Sequence, residues 1–196
     1  MILVELTEVP DTALPVARLK EHLRLGTGFS DDDVQNALLA GFLRAAIAAI
    51  EGRTGKVLLE RTYAMTVDAW RRAERQPFPV APVTSVISVA LADAEGVAAT
   101  LPAGSWRLET DAVRPCLVIP GFLPPIPTGG SARIVFRAGF GPDWAKVPSD
   151  LAQAVLMLAA HYHEFRHETA LSAGCMPFGV TALIDRYRPI RLSGGF

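Results

Sequence analysis

The sequence predicts an α+β fold: a small helical core of about four helices, an inserted antiparallel β-sandwich or barrel-like region, and an extended C-terminal arm. Three observations carry this. Ser30–Glu51 and Val147–Thr169 repeat apolar residues at three- and four-residue intervals, the period of a helix with a buried stripe. Between them the chain changes to short β-branched and aromatic runs separated by Pro and Gly. Beyond Pro189 the tail is too short and Gly-rich to pack as an element alone. The expected organisation is a single domain, with a helical core from 15–56 and 147–188, a β insertion over 57–146 and an arm over 189–196.

Taken in order, Pro15–Leu25 reads as a short amphipathic helix with Val16, Leu19 and Leu23 on one side, broken by Gly26 and Gly28. Ser30 and Asp31–Asp33 supply capping groups and negative charge for the next helix. In that helix Val34, Leu38, Phe42, Ala45 and Ala49 form one face, and Leu39, Leu43, Ala46, Ile47 and Ile50 lie beside it. This arc is wider than one partner helix covers. A neighbouring subunit is therefore expected on the second side, with Leu39, Leu43 and Ile47 as interface residues together with His163 and His167 of the later helix. Gly52 and Gly55 end the helix.

Strands are expected within Val57–Trp70, where Tyr63, Met65 and Val67 alternate with Thr62, Ala64 and Thr66, then at Val83–Leu91 and Val97–Leu101. Shorter ones follow near Trp106–Glu109, Leu117–Ile119 and Ala132–Arg137. Arg71–Arg75 reads as a basic loop tip of open role, and Gln76–Pro82 as a proline-broken connection. Val147–Thr169 opens with Pro148, Ser149 and Asp150 in the first turn and carries Leu151, Val155, Leu158, Tyr162 and Phe165 as its stripe. After a loop, Val180–Tyr187 forms two helical turns. The tail combines the basic Arg186, Arg188 and Arg191 with the apolar Ile190, Leu192 and Phe196, as befits a segment that orders on a partner.

Composition narrows the function. Half of the 196 residues are hydrophobic, enough for a real core. A net charge of −1 gives no global drive toward nucleic acid or anionic membrane. Cys116 and Cys175 form no C-x-x-C and no disulfide framework. No signal-peptide pattern opens the chain, and no uninterrupted apolar run approaches the ~20 residues of a membrane span. A soluble protein made in the cytoplasm, without cofactor or membrane, is expected. One motif points elsewhere: His163-Glu164-Phe165-Arg166-His167 spells H-E-x-x-H, in which two histidines hold zinc and Glu164 acts as general base. A small zinc-dependent hydrolase is thus the alternative reading. Against it, a catalytic zinc needs a third protein ligand, and downstream only Glu168 and Asp185 offer carboxylates. The crowded polar flanks suit a solvated or subunit-facing surface better.

The order and identity of several stretches resemble the head–tail connector (adaptor) proteins of long-tailed bacteriophages and gene transfer agents. They are Ala17–Arg24, Asp31–Asp33, Ile50-Glu51-Gly52-Arg53-Thr54-Gly55-Lys56, Pro82–Val86, Phe136-Arg137-Ala138-Gly139-Phe140-Gly141, Val147-Pro148 with Leu151, Ala154 and Leu158, and Pro177–Val180 with Leu183 and Tyr187-Arg188. The resemblance implies a structural protein without catalysis. It implies a dodecameric homo-oligomeric ring under the portal protein that extends the DNA channel without sequence specificity and docks a stopper or tail-terminator protein. It also implies that the C-terminal segment reaches the portal. In this chain that segment comprises Arg186, Arg188, Ile190, Arg191, Leu192 and Phe196.

Overall fold

The computed structural model of the protein describes residues 1–25, 33–166 and 176–188. The fold is α+β, with four α-helices and two antiparallel sheets among the described residues. The chain forms two compact units. One comprises Met1–Val9 and Leu59–Pro142, the other Pro10–Leu58 and the chain from Asp143 on.

The first unit holds the sheets. Its strands are β1 (Ile2–Glu5), β2 (Arg61–Val67), β3 (Arg75–Pro77), β4 (Val83–Ala92), β5 (Ala98–Thr100), β6 (Arg107–Glu109), β7 (Cys116–Val118) and β8 (Ser131–Ala138). Five of them run in the order β1-β2-β8-β4-β5, and three in the order β3-β7-β6, all antiparallel. The alternation along β8 places Ala132, Ile134, Phe136 and Ala138 inside. Tyr63 and Met65 of β2 lie opposite Phe136 and Ile134, so the apolar sides of neighbouring strands coincide. Phe136, fully buried, anchors this core: its ring lies 5.8 Å from that of Tyr63 and 4.6 Å from that of Phe78. Arg61, also buried, is satisfied by Glu5 at 2.9 Å and by the Leu59 carbonyl at 3.3 Å.

Two strands lie outside the expected pattern. The first, β1, is an edge strand with all four residues exposed, so no in–out alternation marks it. The other, β3, ends on Pro77, a residue that reads as a strand breaker. It is tolerated here because β3 is the edge of its sheet and the missing N–H costs no central ladder bond.

The second unit is helical: α1 (Val16–His22), α2 (Asp33–Thr54), α3 (Ser149–Glu164) and α4 (Phe178–Ile184). Leu39, Leu43, Ala46, Ile47 and Ile50 of α2 are buried, as are Leu151, Ala154, Val155, Leu158 and Ala159 of α3, and these two helices pack on each other. Leu19 from α1 and Val180 and Ile184 from α4 complete the core. The second helix runs three residues past its expected end at Glu51. Its stop is built by Gly55, at φ 66°, whose N–H reaches the Glu51 carbonyl at 2.8 Å. Thr54 bonds back to the Ile50 carbonyl, and the Glu51 carboxylate accepts the Leu58 N–H at 2.7 Å. By length and composition Val34–Thr54 could cross a membrane, with a mean hydropathy of 1.3, which corrects the expectation that no stretch approaches that length. Its buried ridge against α3 gives the apolar residues another use.

Gly139 is the most constrained glycine of the sheet unit. It sits at φ 139°, and a Cβ there would lie 2.4 Å from the Glu60 Cα. Its N–H bonds to the Pro82 carbonyl at 2.9 Å, while Glu60 bonds to the Gly141 carbonyl at 2.8 Å, so neither backbone can retreat cheaply. Gly139→Ala is expected to destabilise the protein by on the order of 3 kcal/mol in urea denaturation. Gly41→Ala, in the middle of α2 with open space around the new methyl, is expected to stabilise the isolated subunit by about 1 kcal/mol. An unchanged midpoint for Gly139→Ala would show that the loop relaxes.

Candidate functional site

The H-E-x-x-H segment begins in the last turn of α3. The helix ends at Glu164, Phe165 is its C-cap, and Arg166 donates to the His163 carbonyl at 2.7 Å. Two metal-binding histidines four apart need an unbroken helical turn to share a face. Here the turn closes before the second histidine, and His167 lies outside the described residues. His163 is half-buried and meets the Phe42 ring edge-on at 5.9 Å, while His161 packs against Phe165 at 4.6 Å. Among the described residues no group of three or more His, Cys, Asp or Glu is gathered as a metal site requires. Nothing in this geometry supports the hydrolase reading. The helix end is a packing feature, in which His163 fills space beside α2. Cys175 also lies outside the described residues.

The expected subunit-interface residues divide. Leu39, Leu43 and Ile47 are 0%, 0% and 4% exposed within the subunit itself, so they are not available to a neighbouring copy. That part of the expectation is corrected. The wide apolar arc of α2 has its inner side on Leu39–Leu43–Ile47 and its outer side on Val34, Leu38 and Ala45. Val34 is 79% and Leu38 48% exposed. Gly41, Ala48 and Gly52 continue the same exposed line at three- and four-residue spacing.

Of the expected portal-binding residues, Arg186 and Arg188 are described, and Ile190, Arg191, Leu192 and Phe196 are not. Arg186 pairs with Asp150 at 2.8 Å, lies over the Tyr187 ring and bonds its hydroxyl. Tyr187 in turn donates to Asp150 at 2.9 Å. Burial is the main reason the Tyr187 hydroxyl is held above its ordinary pKa. Arg188 pairs with Asp185 at 3.2 Å. These contacts tie the turn after α4 to the first turn of α3, so the point from which the C-terminal segment departs is fixed.

The basic tip is more ordered than a solvated loop requires. Gln76, buried, accepts the Arg71 N–H at 2.9 Å and donates to the Pro77 carbonyl at 3.1 Å. The proline-rich segment holds the tip from the other side: Leu123 donates to the Ala73 carbonyl at 2.8 Å, and the Trp70 indole donates to the Pro124 carbonyl at 2.7 Å. Arg71, Arg72, Arg75 and Arg114 line a cleft of about 650 Å³ together with Glu109 and Asp111. Cys116 also lines it, and burial pushes its thiol up from its ordinary value. The signal that the sequence held for this site was Gln76, a polar residue between two strand-like runs.

Burial lowers the His163 pKa, with Arg166 adding to the effect and Glu164 opposing it. A histidine whose folded pKa is depressed binds its proton more readily in the unfolded chain. Its contribution is complete above about pH 6.5 and is lost as pH falls from there toward the lowered folded value. His163→Phe is therefore expected to flatten this part of the acid limb in thermal melts between about pH 7 and 5. An unchanged slope would show that His163 does not titrate with folding.

No protein-family model and no curated protein sequence matches the chain. Solved structures do. The chain is similar at 52% identity, over 100% of its length and 99% of the other's, to a chain in the neck of an empty gene transfer agent particle computed with C6 symmetry, with a TM-score of 0.89. It is 52% identical, with the same coverage and a TM-score of 0.87, to a chain in the virion of a native gene transfer agent particle. A chain in the neck of a native particle computed with C12 symmetry is 48% identical, again over 100% and 99% of the two chains, with a TM-score of 0.84. With this identity sustained over its full length, and with the order of helices and strands described above, the chain belongs to the head–tail connector (adaptor) family of long-tailed bacteriophages and gene transfer agents.

Proposed function

We propose that twelve copies of this chain form a ring in the neck of a phage-like particle, beneath the portal protein. There the ring extends the DNA channel and docks a stopper or tail-terminator protein, and it performs no catalytic step. The observation that carries this is the full-length 52% identity to a chain of a gene transfer agent neck, together with the C12 symmetry of the related native neck. Near-neutral net charge suits the role, because a wall studded with Lys and Arg would grip phosphates and stall passage.

Physical chemistry supports a place for the ring contact. The outer side of α2 offers Leu38, Gly41, Ala45, Ala48 and Gly52 in one exposed line. A glycine inside a helix costs about 1 kcal/mol relative to alanine, and neither Gly41 nor Gly52 has a neighbour within 4 Å of its absent Cβ to require it. A helix or loop of the next subunit lying close against this side would supply the reason. A ring needs a heterologous contact, so this side of one copy meets a different surface of the next. His163, half-buried beside Phe42 on the inner side, belongs to the subunit core in this scheme, and His167 remains a candidate for the contact. The tail, Ile190–Phe196, is the portal-reaching arm, departing from the Arg186–Asp150 anchor.

Leu38→Glu places a charge on the outer line without touching the core. Native mass spectrometry is expected to show its ring lost to single subunits, while circular dichroism stays that of wild type and melting remains cooperative at a lower midpoint. A ring that survives Leu38→Glu moves the contact elsewhere. Deletion of Ile190–Phe196 is expected to leave the subunit folded and to abolish co-sedimentation with portal-bearing heads, and attachment at the wild-type level would count against the arm. Chelation with EDTA is expected to leave both melting and assembly unchanged; a shift restored by zinc would revive the metal reading.

A further inference from the structure

We propose that the arginine cleft of the sheet unit is a docking site for an acidic segment of another protein of the neck. The inference rests on the connector reading for the identity of its neighbours, but not for its chemistry. Of the four arginines, Arg75 is paired with Glu109 at 3.4 Å. Asp111 accepts the backbone N–H groups of Val113 and Arg114, both at 2.6 Å, and so serves its own turn. The guanidinium groups of Arg71, Arg72 and Arg114 meet no carboxylate among the described residues. Three cations thus line one concave site, Arg71 and Arg72 from a loop held by Gln76, Leu123 and Trp70 and Arg114 from the Asp111 turn. Like charges brought together by an ordered scaffold repel, and the cost is recovered when an anion arrives.

The shape and composition of the cleft select the anion. A DNA backbone is met by rows of cations on a surface, whereas here the cations share one concave site with carboxylates. An extended polypeptide fits: planar guanidinium groups can take carboxylates bidentately, and Arg75 already pairs with the Glu109 carboxylate at 3.4 Å. Apolar surface for the flanking residues is present. Val113 is 62% exposed next to Arg114, and Phe122 is 72% exposed next to the residue that bonds Ala73. Arginine beside exposed aromatic and aliphatic groups is the composition of a protein-binding hot spot. A second copy of the chain as the occupant would show in the array below as binding confined to this chain's own peptides.

The test is an array of overlapping peptides covering the other proteins of the particle, this chain included, probed with the purified full-length protein. Peptides carrying two or more carboxylates next to an aromatic or aliphatic residue are expected to bind. Their signal is expected to fall about tenfold or more with Arg72→Ser/Arg114→Ser, and by less with Arg72→Lys/Arg114→Lys, which keeps charge but loses the fork. Melting of each variant checks the fold, and single Arg72→Ser, on an exposed loop, serves if the double variant melts early. The proposal is overturned by binding that ignores the arginines or the peptide charge, by an array with no binder, by binding confined to this chain's own peptides, or by a short DNA duplex displacing the peptides. Ring formation, followed separately by native mass spectrometry, tells a failure of the cleft from a failure of the connector reading.

Discussion

The packing of α2 on α3 is the constraint on which the helical unit depends. The ridge Leu39–Leu43–Ala46–Ile47–Ile50 is consumed by Leu151, Val155 and Leu158, and that choice fixes the rotation of α2 about its axis. Rotation in turn decides what is left outside. Leu38 is one residue from Leu39 and about 100° away around the helix, which separates a fully buried leucine from a half-exposed one. The outer line of small residues follows from the same rotation. A helix this apolar, exposed on one side, is a liability for a lone subunit and a resource for a ring.

Much of this fold was legible in the sequence, and the exceptions have physical reasons. The helical period over Val34–Ile50 and Leu151–Leu158 and the alternation in Tyr63–Val67 and Ala132–Arg137 gave the elements close to their observed limits. Periodicity shows how wide an apolar arc is, but not which part faces inward, and Leu39, Leu43 and Ile47, expected at a subunit contact, lie buried within the subunit. The edge strands β1 and β3 escaped because neither alternates: one is exposed throughout, the other carries Pro77. H-E-x-x-H reads as the weaker alternative for want of a third ligand, and α3 in fact ends inside the motif.

The stretches that carried the family resemblance now have structural reasons of their own. Ile50–Lys56 is a helix stop made by Thr54, Glu51 and the left-handed Gly55. Phe136–Gly141 joins the central aromatic of the sheet core to a glycine that the Glu60 backbone leaves no room to replace. Asp150 and Tyr187 meet at 2.9 Å, although 37 positions separate them in the chain. Such positions specify the subunit. The surfaces proposed for assembly are an apolar helix side, an arginine cleft and the C-terminal segment.

The central claim is that copies of this chain meet through the outer side of α2. A photo-crosslinking residue in place of Leu38, irradiated within assembled particles, tests it most directly. The account predicts a ladder of products made only of this chain, extending upward from the dimer. Crosslinks solely to a different protein, or none in particles that contain the ring, would contradict it.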